Sequence, residues 1–157
     1  MSAPTPMGLE FRFEKFFLGP TRGHGTFFDR FGRERRHFTV EMLGRWDGAV
    51  FVLEEEFLFD DGKRHRREWR IVPLEDGRYE ATAADVVGIA RGRIVGAVAR
   101  WRYRLKLPVG TRVWTLDFRD WLMLKTPRLV LNVAEARKWS IRVGQMAVLF
   151  ERPTDQP

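Results

Sequence analysis

A glutamate and an arginine run in phase with apolar side chains in the stretch 53–71. There Leu53, Phe57 and Phe59 alternate along one segment and Trp69 and Ile71 along the next. Asp60-Asp61-Gly62 between the two segments reads as the turn of a β-hairpin, so Glu55 and Arg67 point to the face that the hairpin buries. A carboxylate and a guanidinium in that position form either a structural ion pair or the polar floor of a binding site. Tyr79, Tyr103 and Asp120 share the same alternation in later segments. These side chains can satisfy one another as a buried network capped by the tyrosine hydroxyls, or orient a polar group on an otherwise apolar ligand, and the residues alone leave both readings open. Trp69, Trp101, Tyr103, Trp114 and Phe118 are the candidates for the aromatic wall of such a cavity.

Other chemistries are poorly served. Cysteine is absent and the serines are Ser2 and Ser140, which nearly excludes Ser or Cys nucleophiles and rules out disulfides and thiolate metal sites. His24, His37 and His65 are scattered, two of them within basic segments, and no HExxH or acidic-loop spacing occurs, so neither metal nor cofactor is expected. Gly88-x-x-x-Gly92-x-x-x-Gly96 falls in strand-like sequence, where it permits bending at a barrel corner and does not cradle phosphate. A general base at Glu55 or Asp120 is the one catalytic arrangement left, and catalysis is the least supported class of function.

Arg100, Arg102, Arg104 and Lys106 alternate with Trp101, Tyr103, Leu105 and Leu107, so the cations form a row along the outer side of one strand. With Arg35-Arg36, Lys63-Arg64-His65-Arg66 and a formal charge of +7, they make a basic outer face suited to weak association with anionic surfaces or an acidic protein. An interaction module with a solid interior is therefore the alternative to a ligand-binding barrel. A specific nucleic-acid partner is not expected, because the aromatics that could stack on bases alternate onto the opposite face.

The elements that must position these groups are period-2 segments separated by turn signals. Residues 1–8 are Pro-rich and polar, a disordered tail; residues 9–17 read as a short helix or extended plug, ended by Gly19-Pro20. Strands are expected at 23–31 and 36–46, the second with Phe38, Val40, Met42, Gly44 and Trp46 facing inward. Asp47-Gly48 predicts a type I′ turn with positive φ at both residues, pairing Trp46 with Ala49, Met42 with Leu53 and Val40 with Glu55. The turn at 60–63 needs an odd number of loop residues or a bulge to return Arg67, Trp69 and Ile71 to the face of Phe57. Asp76-Gly77 turns into a strand carrying Tyr79, Ala81 and Ala83; 86–90 is read as a strand, Arg91-Gly92-Arg93 as a turn, and 94–107 as one long strand. A four-residue loop at 108–111 brings Trp114, Leu116, Phe118 and Asp120 inward and sets Arg102 opposite Asp117. Strands at 128–133 and 141–150 follow, with 134–139 a helical turn or bulged strand and 152–157 a polar tail.

A chain of 157 residues that is 44% hydrophobic supports one core, hence one domain over 9–151. Roughly nine strands in hairpin order, each with one apolar face, close most economically into an all-β, single antiparallel up-and-down barrel of about eight to ten strands. No apolar run reaches the roughly 18 residues of a spanning helix. The N-terminus carries neither a basic n-region with an apolar h-region nor a lipidation cysteine, so the expected location is the cytoplasm, with envelope association if a leader preceded this sequence.

The ordered set Phe38-Thr39-Val40, Gly44-x-Trp46, Leu53-x-Glu55-x-Phe57-x-Phe59-Asp60-Asp61-Gly62 and Arg67-x-Trp69-x-Ile71 resembles a bacterial family of proteins of unknown function, DUF3833. Asp76-Gly77-Arg78-Tyr79-Glu80, Asp85-Val86-Val87-Gly88, Trp101-x-Tyr103, Asp120-Trp121, Leu131-Asn132-x-Ala134, Lys138 and Ile141-Arg142-Val143-Gly144 extend the resemblance over nearly the whole chain after residue 9. It implies a calycin- or lipocalin-like barrel, and it draws attention to Asp85, Asn132 and Lys138 near strand ends, where polar groups more often cap turns than contact ligands. Relatives look like envelope lipoproteins with a cysteine-bearing signal, which this sequence lacks. The role expected on this basis is binding of a small, largely apolar or amphipathic molecule, with Glu55, Arg67 and Asp120 reading its polar group.

Overall fold

Ten antiparallel strands close on themselves in the order β1-β10-β9-β8-β7-β6-β5-β4-β3-β2 in a computed structural model, which describes residues 9–153. The strands are β1 (Gly19–Asp29), β2 (Glu34–Asp47), β3 (Val50–Phe59), β4 (Arg64–Pro73), β5 (Arg78–Thr82), β6 (Ala90–Val95), β7 (Val98–Val109), β8 (Arg112–Thr126), β9 (Leu129–Lys138) and β10 (Ile141–Glu151). Each strand pairs with its neighbour in sequence, and β1 pairs with β10, so the sheet has no free edge. This is the expected up-and-down barrel. The predicted tail at 1–8 and residues 154–157 of the predicted tail at 152–157 lie outside the described residues, while Arg152 and Pro153 directly follow β10.

The plug is the one helical piece of the N-terminal segment, α1 (Phe13–Phe16), a single turn. Phe11, Phe13, Phe16 and Phe17 are all buried, and the ring of Phe13 lies edge-on to Trp101 at 5.5 Å while Phe17 meets Phe150 at 5.5 Å. Gly19-Pro20 does not separate the plug from the first strand; it opens β1, with Gly19 at a φ of 78°. The barrel end that the plug closes carries the turns at Gly48, Gly77 and Gly96. The opposite end carries those at Gly32, Gly62, Gly110 and Trp139-Ser140.

Turn chemistry departs from the sequence pattern in a consistent way. The β2–β3 turn is Gly48-Ala49, with positive φ at Gly48 alone, so Asp47 stays in the strand and pairs with Val50. A glycine at the first central position suffices for a II′-like turn, and the aspartate need not leave the strand. Gly44 therefore faces Leu53, Met42 faces Glu55 and Val40 faces Phe57, two residues from the predicted pairing. A slip of two preserves the face that each side chain occupies, so Glu55 remains inside. Trp46, expected inside, lies near the strand end and is 46% exposed.

The same Gly-first turn recurs at Gly110-Thr111, in place of the four-residue loop, and at Gly96-Ala97, which splits the predicted strand 94–107 into β6 and β7. Arg104, not Arg102, consequently faces Asp117 and pairs with it at 2.8 Å, and Arg102 faces Arg119. Arg91-Gly92-Arg93 lies within β6, because Gly92 provides the flat floor on which the Trp101 indole rests; a Cβ there would meet the ring at 2.6 Å. Residues 86–90 form no strand of their own: Val86 makes an isolated bridge to Leu105, and Ala90 begins β6. At the β3–β4 turn the loop holds three residues, 60–62, closed by the Phe59 N–H donating to the Lys63 carbonyl at 2.9 Å, which is the odd count that Arg67 requires. Residues 134–138 continue β9.

Candidate functional site

Inside the barrel, above the plug, lies a cavity of about 90 Å³ floored by Phe13 and Phe17. It has room for several waters and falls below the roughly 300 Å³ at which pockets for drug-sized ligands begin. Of the side chains singled out from sequence, Glu55, Arg67, Trp69, Trp101, Tyr103 and Asp120 line it. Tyr79, Trp114 and Phe118 do not. The Tyr79 hydroxyl donates to Glu14 Oε2 at 2.7 Å and so ties down the plug. Trp114 packs with Leu105, Leu116 and Phe118 in a second apolar cluster, under the Lys138 ammonium at 4.9 Å. Phe118 stacks on Tyr103 at 5.4 Å from behind and thereby orients the tyrosine.

The polar groups are positioned by four strands, β3, β4, β7 and β8, and one irregular segment. Glu55 and Arg67 are direct cross-strand partners on β3 and β4, yet their closest charged atoms are 3.8 Å apart. The hydrogen bond that Glu55 accepts comes from the Trp69 indole N–H, at 2.8 Å. Arg67 instead forks onto Asp85, with Nε 3.1 Å from both carboxylate oxygens and Nη2 2.8 Å from Oδ2. The expected Glu55–Arg67 pair is thus the edge of a triad in which Asp85 holds the guanidinium. Across the lumen, the Tyr103 hydroxyl donates to Asp120, 2.9 Å from each oxygen.

Burial and the Arg67 charge move these carboxyl pKa values in opposite directions. Glu55 is 8% exposed, and loss of solvent raises its pKa despite the Arg67 charge and the Trp69 N–H. Asp120 is pushed up to about 7 by burial, with the Tyr103 hydrogen bond opposing and the Glu55 charge adding to the shift. Asp85 also feels desolvation, but the hydrogen bonds and charge of Arg67 outweigh it and hold the carboxyl below its usual range. Burial also raises the Tyr103 phenol well above its usual value, next to Asp120. The lumen therefore holds an ion pair, Arg67–Asp85, beside two carboxyls, Glu55 and Asp120, whose pKa burial raises.

Two lining or supporting residues carried only weak sequence signals. Asn132 is 4% exposed, lines the cavity and donates from Nδ2 to the Trp121 carbonyl at 3.0 Å. Its phase with Val130, Ala134 and Ala136 places it inside by alternation alone. Asp85 sits in the irregular segment between β5 and β6, where no periodicity exists to read. Lys138 lies away from the cavity, over the rings of Trp114 and Trp139.

The family model for proteins of unknown function DUF3833 matches residues 4–152, so the chain belongs to that family. No curated protein matches the sequence. Among solved structures the chain is similar to the S-type phycobiliprotein lyase CPES from Guillardia theta, with a TM-score of 0.66 at 8% identity, 92% of each chain being covered. It is also similar to a protein of unknown function of the DUF3598 family from Nostoc punctiforme, with a TM-score of 0.61 at 15% identity; 96% of this chain is covered but 53% of that one, about half its length. At such identities the likeness carries the fold, a lipocalin-like barrel.

Proposed function

We propose that this DUF3833 barrel binds a small, largely apolar molecule in its interior, with Glu55, Arg67 and Asp120 reading a polar group on it. The observation that carries the reading is Asp120: a half-buried carboxylate that borders a cavity, accepts from Tyr103, and has no ion pair among the described residues. Natural interiors rarely keep such a group without using it. An N–H donor or a cationic nitrogen on the ligand complements it, and Trp69 and Trp101 supply the apolar walls. The cavity admits a compact group as it stands, and a longer molecule enters by displacing Phe13 and Phe17. The phycobiliprotein lyase lends architectural support only, as a protein of the same barrel type.

Native mass spectrometry of the protein purified from its own cells is the direct test. The expected result is a carried mass that leaves on denaturation, and whose retention Asp120→Ala weakens at least about ten-fold, as removal of a buried polar contact does. A protein that carries nothing, and whose tryptophan emission no component of a cell lipid and pigment extract perturbs, overturns the proposal.

A further inference from the structure

The barrel end opposite the plug ends in three adjacent hairpins, β7–β8, β9–β10 and β1–β2, which follow one another around the barrel because β8 pairs β9 and β10 pairs β1. Their tips expose large apolar side chains: Trp139 (82%), Val113 (68%), Phe31 (68%), Ile141 (59%) and Val109 (43%). Trp139 is the most telling. It and Ser140 form the β9–β10 turn with φ of 52° and 65°, a backbone that glycine or asparagine adopts freely and that a bulky side chain adopts under strain. A tryptophan strained by its backbone and 82% exposed contributes nothing to the buried core, which points to a use at the surface.

The surroundings of these tips are cationic. Lys138 holds its ammonium 4.6 Å from the Trp139 ring, and Arg30 lies 4.6 Å over Phe31. Arg112 and Arg142 are exposed beside them. The acids at this end are engaged: Asp29 accepts from the N–H groups of Phe31 and Arg33 and pairs with Arg35 at 2.7 Å, Glu34 lies 3.5 Å from His37 Nε2, and on the adjoining β3–β4 turn Asp60 accepts from the His37 N–H and Asp61 lies 3.3 Å from Arg36. The plug end differs: there the exposed Trp46 and Val95 lie near Glu75 and Asp76 on the β4–β5 turn, which an anionic surface repels, and near Asp47, which pairs with Arg70 at 3.2 Å.

We propose that this rim docks on an anionic phospholipid bilayer, the apolar tips entering the headgroup boundary and the basic side chains meeting lipid phosphates. Apolar residues set singly on projecting turns suit a soft interface more than a protein groove. A tryptophan flanked by lysine and arginine is the side-chain set that favours the membrane–water boundary. The cationic row Arg100 to Lys106 runs along the barrel wall; the rim, where charge and apolar tips coincide, is the contact surface.

Co-flotation with vesicles of phosphatidylcholine, with and without phosphatidylglycerol, tests this on the full chain. The expected result is binding to the phosphatidylglycerol vesicles that weakens with salt and falls at least about ten-fold in Trp139→Asn, while that variant unfolds at the same or higher urea concentration than the parent because its turn is relieved. Arg112→Gln combined with Arg142→Gln is expected to weaken binding and flatten its salt dependence. Equal binding by Trp139→Asn, no preference for phosphatidylglycerol, or capture of single-stranded RNA with no vesicle binding would each overturn the proposal.

Discussion

Arg67 reaches past the carboxylate directly opposite it and forks onto Asp85, eighteen residues along the chain, at distances down to 2.8 Å. Glu55, its cross-strand partner, stays at 3.8 Å and turns to Trp69. Removing Asp85 strands a guanidinium whose side chain is 12% exposed, whereas removing the charge of Glu55 relieves a carboxyl that burial already disfavours. Asp85→Ala is therefore expected to cost about 2–4 kcal/mol and Glu55→Gln less than about 1 kcal/mol, since glutamine still accepts from the indole. Urea unfolding of the two variants ranks them; the reverse order would make Glu55 the principal partner of Arg67.

Asp120 gives the barrel a distinctive dependence on pH. Its carboxyl titrates at about 7 when folded and at about 3.9 when unfolded. Between those values the folded state holds a proton that the unfolded state has lost, so its contribution to stability declines as pH rises from about 4 to about 7, by at most about 1.4 kcal/mol per unit, and is level above. Asp120→Asn has no such slope. Relative to the parent it should gain stability on going from pH 5 to pH 8, and a stability difference independent of pH would show that the carboxyl titrates normally.

The plug determines how much of the lumen is empty. Phe13→Ala and Phe17→Ala each remove a phenyl ring from the cavity floor. Each should cost about 3–5 kcal/mol and raise the binding of an apolar fluorescent dye, with the β circular-dichroism signal retained. Unchanged dye binding in stably folded variants would mean that the floor lies elsewhere.

Gly92→Ala places a methyl group 2.6 Å from the Trp101 ring, within β6. Overpacking of that kind costs about 1–3 kcal/mol. Shortening the opposing side chain, as in Gly92→Ala with Trp101→Leu, should recover part of the loss, and strict additivity of the two changes would refute direct contact as the cause.

Alternation along strands was enough to read the barrel and to send Glu55, Arg67, Tyr103 and Asp120 inward, because a slip of two residues leaves every side chain on its own face. It could not give height along the barrel axis. That is why Tyr79 and Trp114, both correctly directed toward the interior, stand at levels where they meet the plug and the second apolar cluster instead of the cavity. The heights depend on turns such as Gly48-Ala49 and Gly96-Ala97, whose strand-like neighbours conceal them. Asp85 was harder still: it sits in an irregular segment, and only the chain's return across β7 brings it to Arg67.

The plug is latched at two points on the barrel end that it closes. The Phe11 N–H donates to the Gly96 carbonyl at 2.9 Å, and the Arg152 guanidinium, just after β10, donates to the Lys15 carbonyl at 2.8 Å. The segment that leaves the ribosome early among the described residues thus finds its last partner only once the final strand is complete. The Arg152 latch and the packing of Phe17 on Phe150 therefore tie closure of the barrel floor to completion of β10, so that the seal at the first described residues depends on the last strand.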